Sequence, residues 1–182
     1  MKYLHFYLVI AFIFLASCTE SEIPPQSQSA PSRLQVVTVD EKKIVMAQTI
    51  YVPVYSHIYY QNQEKVLNLA ATLSIRNTDF NQPFIITSVR YYDSNGKVVR
   101  QFLERPVELG AMASTDFVVD STDTSGGSGA NFIVQWVAQT EISDPIVEAV
   151  MIGTESNRGI SFVSPGKVIK SQGASGENQD LR

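Results

Sequence analysis

The sequence predicts an all-β fold, an immunoglobulin-like or fibronectin-like β-sandwich of seven or more strands, held between a flexible N-terminal tether and a C-terminal tail. Three observations predict it. The dominant hydrophobic period along the middle of the chain is two, the repeat of a half-buried strand. The apolar stretches are short, and Gly, Pro, Asp or Ser bounds each of them. No long window keeps the helical period. Short strands without intervening helices close a core by packing the inner faces of two sheets.

Residues 1–17 have the proportions of a signal peptide. Lys2 gives the positive start, an almost wholly apolar run broken by His5 follows, and Leu15-Ala16-Ser17 ends it with small residues. The run is shorter than the roughly 20 apolar residues a spanning helix needs, and no stop-transfer charge cluster follows it. It therefore reads as cleaved. Leu15-Ala16-Ser17-Cys18 resembles the lipobox of bacterial lipoproteins, in which the cysteine thiol takes a diacylglyceryl group and the bond before it is cut. The resemblance implies lipidation of Cys18, with palmitate-type acyl chains, and the membrane as a partner through that anchor. It also implies a place in the bacterial cell envelope. Thr19 after the cysteine favours the outer membrane if the cell is Gram-negative. Cys18 is the only cysteine, so once acylated it leaves no thiol for a disulfide, a thiolate metal site or a nucleophile.

The formal charge is −4, and cleavage would remove the cation Lys2 as well. Such a surface has no electrostatic case for nucleic acid, which wants clustered Lys and Arg. Residues 18–32, rich in Ser, Pro and Gln, read as the lipidated Cys18 and a tether with a reach of about 20 Å. Residues 33–170 then form the sandwich, and the polar, Gly-containing 171–182 form a disordered tail.

Within the domain, 51–60 is a Tyr-rich strand. In 67–76 the residues Leu67, Leu69, Ala71, Leu73 and Ile75 alternate with largely polar neighbours, which predicts one continuous strand with one buried face. A Pro-containing turn at 77–83 leads into 84–92, dense in β-branched and aromatic residues. Asn95-Gly96 supplies the positive φ of a tight hairpin turn, and 98–102 is the returning strand. Strands follow over 115–119, 132–138, 146–152 and 159–163. The stretch 146–152 has helical propensity, but Pro145 and Gly153 confine it to a strand's length. Trp136 is the natural aromatic anchor of the core.

Chemistry has few places to reside. The loop 120–130, DSTDTSGGSGA, is the most unusual segment. Gly126, Gly127 and Gly129 permit backbone conformations closed to other residues and leave amides uncovered, which suits capture of a small anion. Asp120 and Asp123 offer oxygens for Ca2+. The candidate ligand-binding set is His57, Asp123, Ser125, Gly126, Gly127, Ser128, Gly129, Asn131 and Glu148, beside the plainer reading of a loop that joins two strands. The loop lacks the Gly-Lys-Ser/Thr ending of a phosphate loop, and Ser128 is not in a nucleophile elbow.

His57 is the one imidazole left after signal cleavage, so a Ser-His-Asp triad would depend on it and a multi-histidine zinc site is excluded. The acids are too dispersed to nominate a glycosidase pair. Glu148 would point inward if Ile146, Val150 and Ile152 do, and would then need Arg90 or Arg76 as a partner. Tyr51, Tyr55, Tyr59, Tyr60, Tyr91 and Tyr92 are compatible with a sugar-stacking or peptide-binding face. No catalytic set and no cofactor are expected; the partner would be an envelope protein or a glycan.

Several blocks carry a wider resemblance: YVPVYSHIY from Tyr51, LSIRNTD from Leu73, SVRYY from Ser88, DTSGGSGANF from Asp123 and VEAVMIG from Val147. In this order they resemble a bacterial lipoprotein family known as domain of unknown function 3124, from about Thr49 to Ile169. The resemblance implies a secreted or lipid-anchored envelope protein with no established activity and no catalytic residues to carry over.

Overall fold

The computed structural model describes residues 34–154 and 159–173. The stretches expected as signal peptide, lipidated Cys18 and tether, and the part of the expected tail from residue 174, lie outside the described residues. Among the described residues thirteen strands follow one another with a single 3-10 turn, Glu41–Lys43, among them. The strands are β1 (Gln35–Val36), β2 (Met46–Pro53), β3 (His57–Tyr60), β4 (Lys65–Asn68), β5 (Ala70–Arg76), β6 (Phe84–Tyr92) and β7 (Val98–Gln101). Then come β8 (Val107–Leu109), β9 (Ser114–Val119), β10 (Asn131–Ala138), β11 (Ile146–Gly153), β12 (Ile160–Pro165) and β13 (Lys167–Gln172).

Two antiparallel sheets form the sandwich. The larger has the order β1-β8-β6-β10-β2-β13, with β7 beside β6, and the smaller has the order β12-β11-β5-β9. A separate two-stranded hairpin, β3-β4, packs Ile58 and Leu67 against the core. The period-two pattern explains which faces meet. Ile50 and Val52 on β2, Phe132, Val134 and Trp136 on β10, Leu73 and Ile75 on β5, and Ala149 and Met151 on β11 are all buried. Each large aliphatic side chain so buried contributes about 1.5–3 kcal/mol relative to leaving it in water. Trp136 is 1 % exposed and packs 5.4 Å from Phe84, ring to ring. Phe102 joins the layers, at 5.5 Å from Phe117 of the smaller sheet and 5.9 Å from Phe132 of the larger.

One irregularity in the larger sheet decides side-chain direction. Register shifts between Gln135 and Trp136, so Thr87 is the extra residue on β6 and its hydroxyl donates to the Gln135 carbonyl at 3.1 Å. Because of this bulge, both Val89 with Tyr91 and Phe84 with Ile86 face the core despite their odd spacing.

Several strands match the sequence expectation closely, including 84–92, 115–119, 132–138 and 146–152. The hairpin after Tyr92 forms as expected, with Gly96 at φ 78° and the Asp93 carboxylate accepting from the amides of Asn95 and Lys97. Others differ. The stretch 51–60 divides after Pro53, because the amides of Val54 and Ser56 turn away to the carbonyls of Ala130 and Gly127. The alternation over 67–76 spans two elements: Leu69 lies between β4 and β5, its amide donating to the Ser56 carbonyl. A period of two runs through both and conceals the change of sheet. The last strand, β13, extends through Ser171 and Gln172 into the segment expected as tail. Its edge position, with every residue exposed, gives it no apolar alternation to announce it.

Glu148 is also corrected. The buried residues of β11 are Val147, Ala149 and Met151, whereas Ile146 and Ile152 are exposed. The opposite parity puts Glu148 on the outer face, where Arg76 lies 3.9 Å from it. A pair so exposed is worth about 0–1 kcal/mol.

Candidate functional site

The Gly-rich loop leaves β9 at Asp120 and enters β10 at Asn131, and three neighbours fasten it. The first is its own start. The Asp120 carboxylate accepts from the amide and hydroxyl of Thr122, both at 2.8 Å, and these bonds hold its pKa below the ordinary carboxylate value. The Asp123 carboxylate accepts from the Ser125 amide and hydroxyl, and its other oxygen takes the Arg100 guanidinium of β7 at 2.8 Å.

The second neighbour is the β6-β7 hairpin. The Ser94 amide and hydroxyl both donate to the Gly126 carbonyl, at 2.9 and 3.1 Å, while the Gly129 amide donates to the Ser94 hydroxyl at 2.9 Å. The third is Ser56, which precedes β3 and is 1 % exposed. Its amide and hydroxyl reach the Gly127 carbonyl, and the hydroxyl also lies 3.3 Å from the Thr124 carbonyl.

Two glycines are required by this arrangement. Gly127 sits at φ 76°, in the left-handed region. Gly126 lies directly under Tyr91, and a Cβ there would overlap the phenol hydroxyl and ring carbon. Tyr91 is fully buried, and burial pushes its hydroxyl up to about 12; Asp123 pushes the same way, while Ser56 and Arg100 oppose.

His57 adjoins this cluster through Ser56. Its Nδ1 is 3.3 Å from the Ser56 hydroxyl and its Nε2 is 3.2 Å from the Tyr59 hydroxyl, with the two rings edge-on at 5.1 Å. The Ser56 hydrogen is directed at loop carbonyls, so the assigned tautomer has Nδ1–H donating to Ser56 and Nε2 accepting from Tyr59. Ser56 and His57 thus touch, yet Ser56 is buried beneath the loop it holds.

The candidate residues therefore separate into two groups. His57, Asp123, Ser125, Gly126, Gly127, Ser128, Gly129 and Asn131 share one end of the sandwich. Glu148 does not. It faces Ser74, four positions along β11 from Ile152, which faces Ala70 near the hairpin, and this places it about 13 Å farther along the strand. Of the six tyrosines, Tyr91 is core, whereas Tyr55, Tyr59 and Tyr60 are exposed. Tyr55 packs edge-on against Phe162 at 5.9 Å. The Gly127 and Gly129 amides are engaged with Thr124 and Ser94. Among the described residues no three His, Cys, Asp or Glu side chains cluster as a metal would need.

A different surface escaped the sequence reading. The outer face of the larger sheet carries a groove of about 410 Å³, with Thr49, Thr87, Gln135, Lys170 and Gln172 among its walls. Beside it the Arg90 guanidinium donates to the Gln135 side chain at 3.3 Å and leans on the Tyr92 ring at 5.8 Å. Alternation in 132–138 implies that Gln135 faces away from the core. Without β13, however, nothing placed Lys167 and Lys170 next to it.

A search of curated proteins and a search of solved structures each returned no match to the chain. A family model does match, over residues 47–169, from the start of β2 to the middle of β13 and so across more than half of the chain. Every strand of both sheets except β1 and the second half of β13 lies wholly or mostly inside that span. The chain belongs to the family described as Protein of unknown function (DUF3124).

Proposed function

We propose that the protein is a lipid-anchored component of the bacterial cell envelope, held at the membrane by acylated Cys18, whose β-sandwich serves as a non-enzymatic binding or assembly module. The anchor is supported by the Leu15-Ala16-Ser17-Cys18 motif after an apolar run. Two or more acyl chains make such anchoring stable. The outer membrane is the favoured destination in a Gram-negative cell, on the strength of Thr19.

One observation carries the non-enzymatic reading. Of the groups that resemble a nucleophile, base and acid, Ser56 and Asp123 are engaged in fastening the Gly-rich loop to the sandwich, and His57 is engaged between Ser56 and Tyr59. The competing reading is a glycan, anion or Ca2+ site on that loop. There Ca2+ would compete with Arg100 for Asp123 and with Ser56 for the Gly127 carbonyl, and an anion would compete for the Gly127 and Gly129 amides that Thr124 and Ser94 engage.

Membrane fractionation tests the proposal. The wild-type chain is expected in the detergent-extracted membrane fraction, and Cys18→Ser is expected either released or unprocessed. His57→Ala should leave location unchanged and should complement any loss-of-gene phenotype as wild type does. A His57→Ala variant that folds and locates normally yet reproduces the loss-of-gene phenotype would overturn the non-enzymatic reading.

A further inference from the structure

The outer face of the larger sheet has an order of its own. Register sets Arg90, Ile133, Tyr51 and Lys167 in one cross-strand row, and Ser88, Gln135, Thr49 and Lys170 in the next. The groove lies over Gln135, Thr49 and Lys170 of the second row. Cations therefore stand at both ends of the first row and at the β13 end of the second, around the uncharged Ile133, Tyr51, Gln135 and Thr49, on a protein whose overall charge is −4. Among the described residues the three ion pairs are Lys43–Asp40, Arg76–Glu148 and Arg100–Asp123, so Arg90, Lys167 and Lys170 take part in none. Glu108 faces Ile85 across β8 and β6, on the side away from β13. Arg90 has capacity left as well: one nitrogen of its fork holds Gln135, which leaves the rest of the fork for an outside acceptor, while its Nε is buried without a hydrogen-bond partner and lies out of a ligand's reach. A guanidinium with donors to spare fits a carboxylate.

We propose that this face binds an acidic polysaccharide, with Arg90, Lys167 and Lys170 taking its carboxylates and Tyr51 and Tyr92 lying against its sugar rings. Arg90 and Lys167 are three strand spacings apart, about 14 Å, which exceeds one sugar ring and calls for charges repeated along a polymer. Ile133 and Tyr51 lie between them in the same row, and Gln135 and Thr49 in the adjacent row offer donors and acceptors suited to hydroxyls. Tyr51 and Tyr92, both half-buried, present flat apolar area with a polar tip. An extended acidic peptide would instead pair through its backbone at a sheet edge and leave Gln135 and Tyr51 without a role. The inference shares with the proposed function the premise that the domain binds, and the two fail separately: an unacylated Cys18 removes the anchor alone, and absent glycan binding removes the ligand alone.

Titration calorimetry on the full detergent-solubilised chain tests it, using polygalacturonate, neutral dextran, poly-glutamate and anionic phosphatidylglycerol vesicles in parallel. Polygalacturonate is expected to bind, more weakly as salt rises, and dextran not to bind. Arg90→Gln and Tyr51→Ala should each weaken binding about tenfold, the loss expected for a charge-assisted contact or an aromatic platform. Lys170→Gln, on an exposed edge strand, should weaken it severalfold, and its surface position keeps the test decisive if Arg90→Gln unfolds. Arg76→Gln, on the other sheet, should bind as wild type. No binding of polygalacturonate, or equal binding of dextran, would overturn the proposal. So would tighter binding of poly-glutamate or of the vesicles that Tyr51→Ala leaves unaltered.

Discussion

Ser56 and Gly127 are joined twice: the Ser56 amide and the Ser56 hydroxyl both donate to the Gly127 carbonyl oxygen, each at 3.1 Å. This double bond pattern ties the start of the β3-β4 hairpin to the Gly-rich loop and gives His57 its Nδ1 acceptor. Ser56→Ala should keep the amide bond and lose the hydroxyl, at a cost of about 1–2 kcal/mol. Gly126→Ala should cost more, about 3 kcal/mol, because its Cβ meets the Tyr91 ring and hydroxyl in a packed site. Urea midpoints of the two variants check the order. Equal stability of Gly126→Ala and wild type would mean that the loop does not lie on Tyr91.

Tyr91 predicts a specific alkaline weakness. Its folded-state value is raised to about 12, against about 10 in an unfolded chain. A raised acid contributes stability in full below the unfolded value, and that contribution is lost as pH climbs from about 10 to about 12. The loss amounts to about 2–3 kcal/mol. Tyr91→Phe has no such group, so the stability of wild type relative to Tyr91→Phe should fall by that amount across the window. Parallel curves from pH 8 to pH 11 would rule the effect out.

Strain at two turns offers stabilising substitutions. Gln61, Asn62 and Gln63 all have positive φ, at 50°, 56° and 69°, and Met112 sits at 57°. A left-handed residue with a Cβ carries about 1–2 kcal/mol of strain that glycine relieves, offset in part by its greater unfolded-state freedom. Gln63→Gly and Met112→Gly should each raise stability by about 0.5–1 kcal/mol, seen as a higher Tm. Met112 is itself exposed, so its replacement removes little packing.

Asn77 is a buried polar hub. The two hydrogens of its amide nitrogen are shared among the carbonyls of Gln82, Leu109 and Gly110 at 2.9, 3.2 and 2.9 Å, and its oxygen accepts from the Asp79 amide at 2.9 Å. Asn77→Asp keeps the shape and replaces the donor with an acceptor facing three carbonyls. It should destabilise by about 3–4 kcal/mol, more than Asn77→Ala, since a buried charge without a partner is costlier than a lost bond. Chemical denaturation of both variants gives the comparison. Asn77→Asp as stable as wild type would show that the amide is not oriented by those carbonyls.

The sandwich was legible because period two is a strong signal wherever one face is buried, as at Leu73 and Ile75 or Phe132 and Val134. It failed where period two runs on through a change of partner. Leu67, Leu69 and Ala71 alternate without a break although Leu69 marks the passage from hairpin to sheet. Parity on β11 was ambiguous because Ile146 and Ile152 are as apolar as the buried Val147 and Met151, and only packing distinguishes them. β13 is exposed along its whole length, so its place beside β2 rests on backbone pairing that side chains do not encode. The Gly-rich loop was found by composition, but its fastening by Ser56, Ser94 and Arg100 is long-range and leaves no local pattern.

The central claim is that the chain is anchored through Cys18, and mass spectrometry of the N-terminal tryptic peptide of the membrane-extracted protein tests it most directly. A peptide that begins at Cys18, ends at Arg33 and carries the added mass of diacylglyceryl and acyl groups is the result predicted. An unmodified Cys18 thiol, or a peptide that still contains residues before it, would contradict the account.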